Sequence, residues 1–355
     1  MNRWKIKRKI YFNEGNMEKV ARQEEVAMVL VLLSTYNAQD YLREQLDSLL
    51  EQSLKQIKIV IRDDGSSDDT IGILEEYSDI YPNITYYQGE NLGAADSFFD
   101  LMKHVRKEAF SYVAFCDQDD FWLEDKLKHA VKTIDQLTQY SKKGPVLYCG
   151  KPQLVDQDLN ILEQEINREI RPGFSNALIE NIVTGCTMVL NRSLFDLLVA
   201  HLPEYCIMHD WWCYLMASCY GLVVYDEQPY LYYRQHQNNV MGIDGSYVTE
   251  FSHRVKKYKS RQGNIVKQAK ELLVQMSQIS VENPWSEDVK KLPALPEALH
   301  LSHPVSVSNC RKRAMLLAHY KEGKTRLSLS FGKVVYRQRK VDDAIYRLLF
   351  LLGIR

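Results

Sequence analysis

Five short apolar runs recur in the first part of the chain: Val26–Leu33, Ile57–Ile61, Ile84–Tyr87, Tyr112–Cys116 and Val146–Cys149. Runs of this length read as buried strands. The segments between them carry apolar residues at helical spacing. In Asp40–Leu54 these are Leu42, Leu46, Leu49 and Leu50; in Glu124–Tyr140 they are Leu127, Val131, Ile134 and Leu137. Asp69–Tyr77 and Ala95–Val105 complete the alternation. Strands separated by helices predict an α/β fold, a mostly parallel sheet sandwiched by helices. Such sheets bind ligands beyond the carboxyl ends of their strands.

Three of the runs end in polar clusters on that edge. The first ends in Ser34-Thr35-Tyr36-Asn37, the second in Arg62-Asp63-Asp64-Gly65-Ser66 and the fourth in Asp117-Gln118-Asp119-Asp120. Packed carboxylates repel one another and resist desolvation unless a positive charge joins them. A divalent cation with oxygen ligands is the economical solution. A solvated acidic turn is the alternative, and an Asp-x-Asp pair alone is a weak signal. The second cluster could be a polar turn capping a helix, yet a cap needs one such residue. It does not match a calcium loop, which needs Gly at the sixth position and Glu at the twelfth.

After residue 150 the alternation weakens. Thr187–Leu190, Leu222–Tyr225 and Tyr230–Tyr233 read as strands, and His209–Cys219 as a Trp-rich helix. Asp210 beside a large apolar surface suits a general base, because desolvation raises a carboxyl pKa. It could equally cap an amphipathic helix. Arg234-Gln235-His236 could clamp a diphosphate or complete a metal shell, or form an exposed polar loop. From about Tyr247 the chain reads as helical and basic, with Asn283–Pro304 as a linker.

Hydrophobic residues make up 45% of the 355, enough for a sizeable core. The net charge of −1 hides an asymmetry: residues 311–355 carry +9 and the remainder −10. A basic tail on an acidic body expects an anionic partner. In that tail Val341, Ile345, Leu348, Leu349 and Leu352 share a helical face near Arg337, Arg339, Lys340 and Arg347. That face would dock on anionic lipid, or pack on the body or a partner subunit. The seven cysteines are scattered and form no CxxC pair, so neither zinc nor a disulfide framework is indicated, and a cytoplasmic location is expected. Met1 to Ile10 is basic but lacks the apolar stretch of a signal peptide.

Taken in order, the clusters resemble the family 2 glycosyltransferases of the GT-A fold. The carriers are Ser34-Thr35-Tyr36-Asn37, Asp63-Asp64-Gly65-Ser66, Asn91-Leu92-Gly93, Asp117-Gln118-Asp119-Asp120 and His209-Asp210. Cys116-Asp117-Gln118-Asp119-Asp120 with Arg234-Gln235-His236 resembles bacterial rhamnosyltransferases that build surface polysaccharides. The resemblance implies a Rossmann-like nucleotide-sugar half over 26–150 and an acceptor half over 151–245. A basic arm, 1–25, would precede them and a helical, basic region, 246–355, would follow. It also implies roles. Thr35, Tyr36, Asn37, Asp64 and Gly93 would hold the nucleotide, with Asp117 near the ribose and diphosphate. Arg234, Gln235, His236 and Asn239 would close over the diphosphate. Asp119, with Asp117 and His236, would bind Mg²⁺ or Mn²⁺. Asp210 would be the catalytic base, and Thr184, Gly185, His209 and Trp211 would face the acceptor. Where relatives often carry a basic residue after the Asn-x-Gly turn, this chain has Ala94-Ala95-Asp96-Ser97.

The implied reaction is an inverting transfer of a sugar, rhamnose from dTDP-rhamnose, to a glycan that could be lipid-linked. No nucleic-acid partner is expected; a homo-oligomer and a place at the inner membrane face are left open. A sugar nucleotidyltransferase is a competing reading, but it needs a Gly-rich basic loop after the first strand, and Ser34–Gln39 has no Gly, Lys or Arg. A cation-dependent sugar-binding module is the non-enzymatic alternative.

Overall fold

The computed structural model describes residues 28–141, 144–162, 170–236, 251–292 and 296–319, with Val335, Asp343 and Arg347. The N-terminal arm, Asn239 and the apolar residues of the tail helix lie outside these residues. An eight-stranded sheet forms the centre. Its strands are β1 (Val29–Thr35), β2 (Ile57–Asp63), β3 (Ile84–Gln88), β4 (Tyr112–Cys116), β6 (Val146–Gly150), β8 (Val189–Asn191), β9 (Leu222–Asp226) and β11 (Leu299–Leu301), in the order β11-β9-β6-β8-β4-β1-β2-β3. A small second sheet pairs β5 (Phe121–Trp122), β10 (Leu231–Arg234) and β7 (Gln153–Val155) in the order β5-β10-β7.

Side chains of β1 alternate between two cores. Val29, Val31 and Leu33 face α1 (Leu42–Leu50), α2 (Thr70–Ile80) and α4 (Lys126–Thr138). Leu30 and Leu32 face α3 (Ala94–Val105), the short α5 (Phe174–Ala177), α6 (Arg192–Ala200) and α7 (His209–Tyr220). Burial on both faces explains the continuous apolar strand runs. On α1 the buried Leu42, Leu46 and Leu49 follow the helical period. Helix α7 is buried at all twelve positions, as befits a helix that is apolar nearly all round.

Register places the functional loops. Thr35 lies opposite Asp63, and Leu33 opposite Cys116, so β1, β2 and β4 end at one edge as expected. The sheet is not wholly parallel: β8 runs against β4 and β6, and β11 against β9. The reversal of β8 brings the residues before it, Thr184–Met188, to the edge where β4 ends.

Within the expected linker at Asn283–Pro304 the described residues are instead packed structure. Asn283 Nδ2 donates to the carbonyls of Cys219 and Gly221 (3.1 and 3.0 Å), and the indole of the fully buried Trp285 donates to Pro145 O (3.0 Å). Here α9 (Trp285–Asp288) and then β11 complete the fold. The long α8 (Phe251–Gln278) and α10 (Val307–Ala318) confirm the helical C-terminal region, and both join the core of α7. Among the described residues no helix is long and apolar enough to cross a membrane.

Candidate active site

The three strand-end loops are tied together by their own polar side chains. Asp63 is buried; its Oδ1 accepts from Thr35 Oγ1 (3.1 Å) and its Oδ2 from the N–H groups of Gly65 and Ser66 (3.1 and 2.9 Å). Asp64, also buried, accepts from Leu92 N and Gly93 N (2.8 and 2.9 Å) and pairs with the Arg62 guanidinium. Gly93 sits at φ 81°, a conformation that glycine adopts without steric cost, with open space where a side chain would project. Asn37 N donates to Ser66 Oγ (2.9 Å), while its Oδ1 accepts from Ser67 N (2.8 Å). The Gln118 amide grips the Tyr36 backbone from both sides, accepting from N (2.6 Å) and donating to O (3.1 Å). This leaves the Tyr36 ring half-exposed at the rim. Asp64 thus anchors the loop after β3, and Thr35 points inward.

The acidic run divides into two groups. The His236 ring nitrogen Nε2 lies 2.7 Å from Asp119 Oδ2, which joins two of the expected metal ligands. Ligating atoms of Asp117, Asp120 and Cys186 lie within 4.8 Å of one another. Burial, then the charges of Asp119 and Asp210, push the Asp117 carboxyl up to about 7. Asp120 leads into β5 and not into a helix, since α4 begins at Lys126. Asp120 is fully buried, its Oδ1 accepts from Arg234 N (3.3 Å), and its Oδ2 has no partner among the described residues. Buried Lys126, its ammonium 3.2 Å from the centroid of the Trp122 ring, has Asp120 among the charges that favour its protonated form; burial lowers it to about 8. An orphaned buried carboxylate oxygen, three carboxylates and an imidazole suit Mg²⁺ or Mn²⁺. The Cys186 sulfur does not, because a soft donor is poorly matched to these hard, oxygen-seeking cations.

Arg234, expected over a diphosphate, is held by protein groups. Its guanidinium is buried and donates to the Asp119 carbonyl (2.8 Å), the Gln157 carbonyl and the Glu44 carboxylate, 4.6 Å over the Tyr41 ring. A planar five-donor fork suits such bracing. Gln235 is also tied to backbone: its N–H donates to Val155 O (2.8 Å) and its side-chain amide to Arg234 O (3.3 Å).

Asp210 stands in the first turn of α7, buried, its Oδ1 accepting from Trp211 N (2.6 Å). Burial raises its carboxyl to about 6, against hydrogen bonds from Trp211 N, the Asn181 side chain and Gly185 N. His209 packs 4.1 Å from the Phe98 ring; burial holds its pKa near 3, and neither ring nitrogen has a partner among the described residues. A Cβ on Gly185 would lie 2.9 Å from His209 Nε2, so glycine permits that close approach. Thr184 caps the short turn Gly185–Thr187, its carbonyl accepting from Thr187 N (2.9 Å). Trp211, expected at the acceptor, is a core residue whose indole donates to Ala177 O (2.6 Å).

Residues 30–198 match the family model described as glycosyl transferase family 2. Over 232 residues the chain is 31% identical to the dTDP-rhamnosyl transferase RfbG of Shigella flexneri, covering 62% of this chain and 76% of that protein. The chain belongs to glycosyl transferase family 2. It is also 32% identical over 165 residues to a putative teichuronic acid biosynthesis glycosyltransferase, TuaG, of Bacillus subtilis, covering 46% of this chain and 61% of that one. The crystal structure of S. aureus TarS residues 1–349 in complex with UDP-GlcNAc shares the fold, with TM-score 0.52 and 17% identity over 92% of this chain and 91% of that one. This glycosyltransferase therefore has the GT-A fold expected from its motifs.

Proposed function

We propose that this glycosyltransferase moves a sugar, rhamnose from dTDP-rhamnose, to a glycan hydroxyl with inversion, in cell-surface polysaccharide synthesis. The observation that carries the chemistry is a buried carboxylate, Asp210, packed against Gly185, whose neighbour Cys186 lies with Asp117 and Asp120 at the end of β4. The donor is favoured by the relative named a dTDP-rhamnosyl transferase.

Tyr36 and Asn37 would form the wall for the base, while Thr35, Asp64 and Gly93 hold the adjoining loops in shape. Asp119, Asp117 and His236 would hold Mg²⁺ or Mn²⁺, whose charge offsets the charge developing on the diphosphate. Asp210 takes the proton of the acceptor hydroxyl as that oxygen bonds to the anomeric carbon. The bond from that carbon to the diphosphate oxygen breaks on the opposite face, and the nucleoside diphosphate leaves with the electron pair. Gly185 and His209 shape the acceptor side. A lipid-linked acceptor at the inner membrane face would use the basic 311–355 segment, of which Arg311, Lys312 and Arg313 on α10 and Arg347 are described.

Calorimetry tests the metal and the donor together. Titration with dTDP-rhamnose should give binding that needs Mn²⁺ and weakens at least about tenfold in Asp119→Ala. Equal affinity without Mn²⁺ and in the variant would contradict this site.

A further inference from the structure

Helix α8 lies beyond the region matched by the family model, yet it reaches the segment that leads into Asp210. Its apolar stripe, Ile265, Ala269, Leu272 and Met276, is buried in the core shared with α7. Two buried polar residues interrupt that stripe: Gln275 Nε2 donates to Glu271 Oε1 on the same helix (3.0 Å), whereas Gln268 reaches off it. Gln268 is 1% exposed, and its Oε1 accepts from Ile207 N (2.8 Å), three residues before the base. The amide orientation is set by this contact, because a backbone N–H demands an acceptor.

Two neighbours on α8 grip the same segment. Glu271 Oε1 accepts from Glu204 N (3.2 Å), and the Lys267 ammonium lies 3.7 Å from the Tyr205 ring centroid. At the start of α7 the N-cap residue, Met208, makes no side-chain cap. The entry of the helix is thus located by what holds Ile207, rather than by a cap of its own. Gln268 Nε2 stays without a partner among the described residues, so the side chain is retained here at a desolvation cost that the bond to Ile207 N only partly offsets.

We infer that α8 completes the acceptor side of the site, with Gln268 as a positioning residue that fixes Asp210 through the Ile207 N–H. This rests on Asp210 being the base. The donor loops at β1, β2 and β4 make none of these contacts, so the effect should fall on turnover and not on donor binding.

The test uses the full chain. A panel of nucleotide sugars and p-nitrophenyl glycosides, read by nucleoside diphosphate release, first fixes a pair that turns over. Gln268→Met keeps the volume and removes the acceptor. It should lower kcat about 10- to 100-fold, the loss expected of a base displaced by about an ångström. Donor KM and the calorimetric affinity for dTDP with Mn²⁺ should stay within about twofold, well inside that loss. Gln268→Glu retains an acceptor oxygen and should recover most of the turnover. Gln268→Asn, which withdraws the amide by one methylene, reads the same split should the Met variant fail to fold. Unchanged kcat in both the Met and Asn variants, beside an inactive Asp210→Asn, overturns the positioning role alone. So does a fall in donor affinity that matches the fall in kcat. Wild-type turnover in Asp210→Asn removes the base itself, and the inference with it.

Discussion

Asp210→Asn should give a protein that is inactive and more stable. Burial lifts the carboxyl from 3.8 to about 6. A carboxyl lifted that far carries about 3 kcal/mol of preference for its neutral form. The sign follows from which state takes the proton first. A raised carboxyl protonates in the folded protein before it does in the unfolded chain. Its stabilising contribution is therefore complete below the unfolded pKa and is lost as pH rises through about 6. At neutral and higher pH the folded protein carries an ionised group that it would shed if it could. Asparagine preserves the oxygen that accepts from Trp211 N and removes the charge. Urea melts at about pH 8 should show the variant more stable by about 1–3 kcal/mol, and at about pH 4 by less than about 1. Turnover at neutral pH should fall about 10²- to 10⁴-fold. Wild-type turnover should itself decline below about pH 6 as the base takes its proton. A stability gain of the same size at both pH values would refute the link between burial and basicity. So would a variant that transfers sugar normally.

Arg234→Met distinguishes a brace from a diphosphate clamp. With the guanidinium holding the Asp119 and Gln157 carbonyls, stability should drop by about 2–4 kcal/mol. Lost donor affinity with an unchanged melting curve would restore the clamp. Gly185→Ala would place a methyl 2.9 Å from His209 Nε2 and force the imidazole to move. Turnover should fall about tenfold at unchanged donor KM; a fully active variant would show that His209 does not shape the acceptor side.

Much of the donor half was legible because its signals are local. Strand runs, the helical repeats of α1 and α4 and the polar residues at each strand end all fall within a few residues. Long-range features were not. The reversal of β8 follows from its pairing with β4, and nothing in Val189–Asn191 announces a direction. The Asn283–Pro304 segment reads as a linker from its prolines, while Trp285 and Leu299–Leu301 are held by partners over 70 residues away. Side-chain direction was equally hidden. Arg234, Trp211 and Asp64 stand at the expected positions in the chain, but each turns inward to a backbone group that the sequence does not reveal. The burial of Lys126 against the Trp122 ring is not announced by its place at a helix start. Gln118 sat within the acidic run, its clamp on Tyr36 unsignalled.

The reversed strand β8 has a consequence for how such an enzyme can diversify. Because it runs against β4, the turn at Gly185 arrives at the donor edge from a stretch of chain that shares none of the donor loops. On the proposed reading the two substrates are read by separate pieces of sequence, which meet where Gly185 and Cys186 approach Asp117, Asp120 and Asp210. Changes in the stretch before β8 could retune which hydroxyl is glycosylated while the nucleotide platform stays constant, a division of labour open to independent inheritance.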